Sequence, residues 1–180
     1  LLLLIAIAVK LSSRGPIIFK QKRCGLDGKV FECYKFRSMY VEGNYDNQIL
    51  KQAVKGDRRV TRIGRILRRW SLDELPQLFN VIEGNMSLVG PRPHALEHDK
   101  IYRQVITGYS QRHVFKPGMT GLAQVSGFRG ETRDISTMKA RIKADLEYQR
   151  EWSILIDIDI LFKTASVSYT HLTLPTRAQV

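Results

Sequence analysis

The sequence predicts an α+β fold, mostly helical with a small β-hairpin, and contact with a membrane near both ends. Behind this lie an uninterrupted apolar run over the first nine residues, alternating segments on either side of Gly25-Leu26-Asp27-Gly28, and apolar residues at helical spacing over 60–70 and 142–160.

With 180 residues and 43% hydrophobic content, the chain can bury one core, so one domain with appendages is expected. The formal charge of +12 calls for anionic partners. Nucleic acid, anionic lipid and phosphorylated small molecules all qualify, and charge alone does not choose among them. Cys24 and Cys33 are the only cysteines. Without a Cys-x-x-Cys or finger-spaced His they argue against a disulfide framework or a structural zinc site and suit a reducing compartment.

In chain order, Leu1-Leu2-Leu3-Leu4-Ile5-Ala6-Ile7-Ala8-Val9 comes first, then Lys10 and Ser12-Ser13-Arg14-Gly15-Pro16. A bilayer-spanning helix needs roughly 20 apolar residues, so this run is too short to cross. A signal peptide would carry basic residues before the run and a small-residue cleavage site after it, and neither is seen. Without an initiating Met, the chain is expected to start inside a longer hydrophobic segment. A buried core helix is one reading. A membrane-dipping or truncated membrane helix is favoured, because Lys10, Arg14, Lys20, Lys22 and Arg23 follow closely, as on a cytoplasmic flank.

Residues 17–23 and 30–37 read as the two strands of a hairpin. In the second, Phe31, Cys33, Lys35 and Arg37 fall on one face, so two cations are aimed the same way, although a solvated face would show the same spacing. Residues 40–56 read as a polar loop with some helix. From Lys55 to Trp70, Val60, Ile63, Leu67 and Trp70 recur at helical spacing while Arg58, Arg62, Arg65 and Arg69 form a second stripe. Such a stripe suits anionic lipid, a nucleic-acid backbone or a phosphate pocket.

Trp70-Ser71-Leu72-Asp73-Glu74-Leu75-Pro76-Gln77-Leu78 then sets adjacent carboxylates behind this basic helix. Ser71-x-x-Glu74 has capping-box spacing, which would make the acids ordinary helix-start residues. Pro76 fits better if Asp73 caps and the proline lies in the first turn. In either case helix amides are expected to favour an ionised Asp73, as a carboxylate nucleophile or metal ligand requires.

Gly90-Pro91-Arg92-Pro93 locks Arg92 into extended backbone, where it can grip a phosphate at little entropic cost. His94-Ala95-Leu96-Glu97-His98 matches the His-x-x-Glu-His pattern of inverted zinc peptidases, a weak signal that also needs a helix holding both histidines. Lys116 to Gly127 reads as loop with at most a short strand. After it come Arg129, Glu131 and Arg133, among glycines that permit close approach to a ligand. Residues 142–160 read as one helix whose apolar end lies at a bilayer interface with Trp152 as anchor.

Taken together, Ser13-Arg14-Gly15-Pro16, Phe19-x-Gln21-x-Arg23-x-Gly25, Tyr34-Lys35-Phe36-Arg37-Ser38-Met39, Ser71-Leu72-Asp73-Glu74-Leu75-Pro76-Gln77-Leu78, Met86-Ser87-Leu88-Val89-Gly90-Pro91-Arg92-Pro93 and Pro117-Gly118-Met119-Thr120-Gly121 closely resemble the bacterial sugar transferases. These are the monotopic polyprenyl-phosphate phosphoglycosyl transferases. The match runs in order from about residue 1 to 165, and Gly127-x-Arg129-Gly130-Glu131-Thr132 looks most like the branch that uses undecaprenyl phosphate and UDP-glucose or UDP-galactose to start exopolysaccharide synthesis.

The resemblance implies that Asp73 is a nucleophile toward the sugar-linked phosphate of a UDP-sugar, releasing UMP, and that undecaprenyl phosphate then takes the phosphosugar. It implies Mg²⁺ nearest to Asp73 and Glu74, with Lys35, Arg37, Arg68 and Arg92, and more weakly Arg129, as phosphate clamps and Glu131 in the substrate site. It further implies a monotopic protein on the cytoplasmic face of a bacterial inner membrane: residues 1–12 the end of a re-entrant helix, 13–165 the catalytic domain with amphipathic interfacial helices. Residues 166–180 depart from the family pattern. Ser168 to Pro175 is polar and β-prone, and the tail is expected to be non-native. The alternatives are a basic nucleic-acid-binding module on the Arg58 to Arg69 stripe, indifferent to Asp73, and the His94 zinc peptidase; the transferase reading involves no nucleic acid.

Overall fold

A computed structural model describes residues 1–41, 56–128 and 134–173 of the chain. The apolar N-terminal run forms α1 (Leu2–Ser12). One stripe, Ile5 and Val9, is buried with Phe36 and Leu67, and Ile17, Ile18, Ile63, Leu72 and Leu75 pack around them. Leu1, Leu3, Leu4, Ile7 and Leu11 stay exposed. The run is therefore a core helix on one side and bare hydrocarbon on the other. No described helix is long and apolar enough to cross a membrane.

The hairpin forms as its alternation predicts. β1 (Ile18–Cys24) and β2 (Val30–Phe36) are antiparallel, with Gln21 opposite Cys33, and a 3-10 turn (Leu26–Gly28) joins them. The strand ends at Phe36, which changes the fate of Arg37. Its backbone N–H still bonds the Ile17 carbonyl at 2.9 Å, but its guanidinium donates to the carbonyls of Arg14 (2.5 Å), Ser13 (2.6 Å) and Val9 (3.2 Å). Arg37 thus satisfies carbonyls that the end of α1 leaves without helical partners. Arg37→Met is expected to destabilise the fold by roughly 3 kcal/mol, because buried carbonyls lose charged donors. Thermal unfolding reads that loss, and a phosphate clamp would instead show itself as a raised KM at unchanged stability.

Most of the predicted loop at 40–56 lies outside the described residues. The basic helix is shorter than its periodicity suggested. α2 (Arg62–Arg69) starts at Thr61, whose hydroxyl accepts from Gly64 N–H at 2.8 Å. Before it, the Asp57–Arg59 ion pair at 2.6 Å folds a turn, so Arg58 is not on the helix. A Cβ at Gly64 would come within 2.0 Å of the Ser38 carbonyl oxygen, so only glycine lets α2 lie this close to the chain that follows β2.

A 3-10 turn (Leu72–Glu74) and α3 (Gln77–Ile82) follow. Asn80, fully buried, ties α3 to β2 by accepting from Tyr34 N–H (2.9 Å) and donating to the Glu32 carbonyl (2.8 Å). β3 (Ser87–Val89) then pairs in parallel with β4 (Gly118–Thr120). A Cβ on Gly118 would sit 2.1 Å from the Gly90 nitrogen, so glycine is required at this crossing.

α4 (Leu96–Val105) leads through a 3-10 segment (Tyr109–Val114) to β4, and α5 (Leu122–Val125) closes that unit. The predicted helix at 142–160 is two helices. α6 (Ile135–Glu151) ends at Trp152, whose ψ of 130° is extended, and α7 (Ile154–Thr173) starts anew with Ser153 Oγ accepting from Ile156 N–H at 3.3 Å. α7 carries the backbone of residues 168–173 in helix despite their β-prone composition, since a nucleated helix extends at one bond per residue. Val89, Tyr148 and Ile160 form a core between α6, α7 and β3. Ile106, Tyr109, Met138 and Ile142 form another beside α4. The result is the α+β, mostly helical architecture with a small hairpin.

Candidate active site

The carboxylate pair sits on the 3-10 turn, which Leu72 and Leu75 anchor by packing into the α1 core. Ser71 opens the turn in the left-handed region, φ 55°. Neither this turn nor α3 has a side-chain cap, and Pro76 itself precedes α3. The expected capping role of Asp73 is therefore not what the fold uses.

Glu74 is the hub of the site. Lys35 Nζ on β2 donates to Glu74 Oε1 at 2.7 Å. Arg92 grips both oxygens, Nη1 to Oε2 at 3.2 Å and Nη2 to Oε1. This is the bidentate fork for which arginine is suited. Burial alone would raise Glu74, but the charges and hydrogen bonds of Arg92 and Lys35 outweigh it and hold the carboxyl well below the usual carboxylate range.

Asp73 is buried and behaves in the opposite way. Burial pushes its carboxyl up, with Lys35 pulling down and the Glu74 charge adding to the rise. The expectation that helix amides would favour its ionised form is corrected, because desolvation dominates here. Among the described residues nothing hydrogen-bonds the Asp73 carboxylate, while Glu74 is held by two cations. Two adjacent carboxyls thus stand in different environments, one neutralised by two cations and one desolvated without a hydrogen-bond partner among the described residues.

Lys35, Arg68 and Arg92 all reach the neighbourhood of Asp73, and their charges act on it. Arg68 on α2 is also steered by its Nε donating to Ser38 Oγ at 2.8 Å. Arg37 does not join them, being spent on α1. Arg129 and Glu131 lie outside the described residues.

Sequence reasoning missed the frame behind Arg92. The β3–β4 pair leads into Gly90, and Arg112 Nη2 donates to the Arg92 carbonyl at 2.6 Å while pairing with buried Asp145 at 2.7 Å. Arg23 reaches the Pro93 carbonyl from β1. No local pattern marks these residues, although a polar Asn80 inside Leu78-Phe79-Asn80-Val81-Ile82 was a readable signal.

The peptidase alternative fails on geometry. His94 precedes α4 and only His98 lies on it, so the two do not share a helical turn. His94 Nδ1 meets the Tyr109 hydroxyl at 2.6 Å and Arg112 Nη1 at 3.0 Å. The residues also bear on Mg²⁺. The Asp73 carboxylate fits a hard cation that shares oxygens with a diphosphate. Glu74, with both oxygens held by Lys35 and Arg92, fits as the brace beside such an ion rather than as its direct ligand.

Residues 1–171 match the family model described as bacterial sugar transferase. The chain is 56% identical over 165 residues to the UDP-glucose:undecaprenyl-phosphate glucose-1-phosphate transferase of Xanthomonas campestris pv. campestris, covering 92% of this chain and 34% of that protein. It is 56% identical over 167 residues to the protein of the same name from Escherichia coli (strain K12), covering 93% and 36%. The undecaprenyl-phosphate galactose phosphotransferase of Salmonella typhimurium (strain LT2) is 42% identical over 169 residues, covering 85% and 33%. The chain thus spans about a third of the length of these relatives.

Proposed function

Because the chain belongs to the bacterial sugar transferase family, we propose that it transfers a hexose 1-phosphate, glucose 1-phosphate in the first instance, from a UDP-sugar to undecaprenyl phosphate. The reading is carried by one observation: a buried carboxylate, Asp73, stands open beside a carboxylate that Lys35 and Arg92 neutralise.

An Asp73 oxygen attacks the sugar-bearing phosphorus of the UDP-sugar. The bridging P–O bond breaks, and UMP leaves with the electron pair. An oxygen of undecaprenyl phosphate then attacks the same phosphorus, the acyl phosphate bond breaks, and Asp73 is regenerated as undecaprenyl diphosphohexose departs. Lys35, Arg68 and Arg92 neutralise the phosphate charge that builds up around this phosphorus. Glu74 keeps two of those cations in place before substrate arrives. The Asp73 carboxylate would be the residue to hold a Mg²⁺ ion, which when bound would supply further neutralisation of phosphate charge. The family pattern adds Arg129 and Glu131 as substrate-contact candidates.

The acceptor fixes the setting. The exposed leucines of α1 and the exposed Ile154, Leu155, Ile158, Leu161 and Phe162 of α7 suit a monotopic placement on the cytoplasmic leaflet of a bacterial inner membrane, with α1 the end of a re-entrant helix. The reaction is then the first membrane step of exopolysaccharide synthesis. This reading calls for no nucleic acid, and of the Arg58 to Arg69 stripe that suggested one, α2 carries Arg62, Arg65 and Arg69.

Detergent-solubilised protein with undecaprenyl phosphate and Mg²⁺ is expected to release UMP from UDP-glucose at least about tenfold faster than from UDP-galactose, a difference of about 1.4 kcal/mol in the barrier. The reverse preference would reassign the sugar. Release from neither would refute both.

A further inference from the structure

Cys24 closes β1, Asp99 lies on α4 and His113 lies in the 3-10 segment before β4. They are distant in sequence, yet their ligand atoms all lie within 4.8 Å of one another. All are buried, and the Asp99 and His113 side chains are only 3% and 9% exposed. Asp99 Oδ1 and His113 Nε2 face each other as a buried ion pair at 3.0 Å, poorly aligned for a hydrogen bond, and Asp99 Oδ1 and His113 Nε2 make no other well-aligned hydrogen bond. A misaligned buried pair with a thiol beside it has lone pairs that an ion could take up.

The rest of the cluster is braced around those atoms. Asp99 Oδ2 accepts from Arg103 Nε at 2.6 Å, which leaves Oδ1 turned to the cluster. A small cavity whose lining includes Cys24, Pro91, Arg92, Pro93, Arg112 and His113 opens beside it. A tetrahedral zinc ion with oxygen and nitrogen ligands each at about 2.0 Å holds those two atoms about 3.3 Å apart, close to the separation seen. Thiolate, imidazole and carboxylate together are a borderline-soft donor set, unlike the all-oxygen surroundings that Mg²⁺ prefers.

We infer that Cys24 Sγ, Asp99 Oδ1 and His113 Nε2 form a binding site for a divalent cation of the Zn²⁺ class, with a water as fourth ligand on the cavity side. The Cys24 thiol loses its proton to solvent as the ion binds. With the ion on Nε2, the imidazole keeps its proton on Nδ1, and Arg103 Nη2, now 3.4 Å from Nδ1, swings away while Nε holds Asp99. The site is separate from Asp73 and Glu74. It ties the end of β1 to α4 and to the segment entering β4, the pieces of chain around Pro91-Arg92-Pro93. Ligand spacing along the sequence gives no sign of it.

The test uses tag-free protein in detergent, stripped with a chelator and dialysed against zinc chloride. Stoichiometric zinc is expected by elemental mass spectrometry. Cys24→Ser and His113→Gln are each expected to weaken binding by about tenfold or more in competition with a chromophoric chelator, and Cys33→Ser to leave it unchanged. Co²⁺ in place of zinc is expected to give the thiolate-to-cobalt charge-transfer band in wild type, a readout that needs no variant to fold. The proposal is overturned if wild type retains no zinc, if its cobalt form lacks the thiolate band, or if folded Cys24→Ser and His113→Gln hold zinc as wild type does; the cluster is then an ion pair only.

Discussion

Asp73→Asn is expected to stop UMP release, by a factor on the order of 10³ or more, and in the same protein to raise the melting temperature. The two effects share a cause. Burial pushes the Asp73 carboxyl up, so its charged form is held at a cost to the fold. For an acid whose folded pKa lies above its unfolded value, the folded state binds more protons and stability falls as pH rises between the two. Asparagine has the same shape without the charge, so the cost vanishes at neutral pH along with the nucleophile. Thermal unfolding and UMP release measured on one preparation check both halves. The wild-type rate is also expected to fall on its acid limb as Asp73 takes up a proton. A variant that lost activity and stability together would point to Asp73 as a structural residue.

Glu74→Gln is expected to do the opposite to stability while also lowering the rate. Glu74 is held well below the usual carboxylate range, so its contribution is fully present above the unfolded value near 4.5 and is lost as pH falls through the folded value. With glutamine, Lys35 and Arg92 lose the counter-charge they both touch. Breaking a buried pair of this kind costs roughly 3 to 5 kcal/mol, and the lower end applies here because Glu74 is 15% and Arg92 27% exposed. The rate falls because both cations lose the group that aims them before substrate binds. Denaturant unfolding at neutral pH and at pH values below 4 reads the stability term, since the wild type and Glu74→Gln curves should converge on acidification. Unchanged stability at neutral pH would mean that the Glu74 brace is not formed in solution.

How much of this was readable beforehand depended on the range of the interaction. The hairpin was legible because period-two alternation around Gly25 and Gly28 is a local property. The Asp73-Glu74 pair was legible as a candidate because adjacent acids before Pro76 are also local. What divides their roles was not, since Lys35 and Arg92 come from 39 and 18 residues away. Arg37 misled for a related reason: alternation put it on the Lys35 face, but the strand stops one residue short of it, and the end of α1 supplies unpaired carbonyls. Residues 142–160 kept helical spacing across Trp152, and only the Ser153 cap shows the break. The β3–β4 pair was hidden because three-residue strands containing Gly118 carry no periodicity. The zinc-class cluster escaped because its ligands come from three separate elements.

Whether Asp73 carries the phosphosugar is read by intact-protein and peptide mass spectrometry after mixing the protein with UDP-glucose and Mg²⁺ in the absence of undecaprenyl phosphate. The expected result is a gain of one hexose phosphate on the peptide containing Asp73, a matching burst of UMP, loss of the adduct on adding undecaprenyl phosphate, and no adduct with Asp73→Asn. UMP release that needs the acceptor from the start, with no adduct at any time, would contradict it and make the transfer a direct displacement.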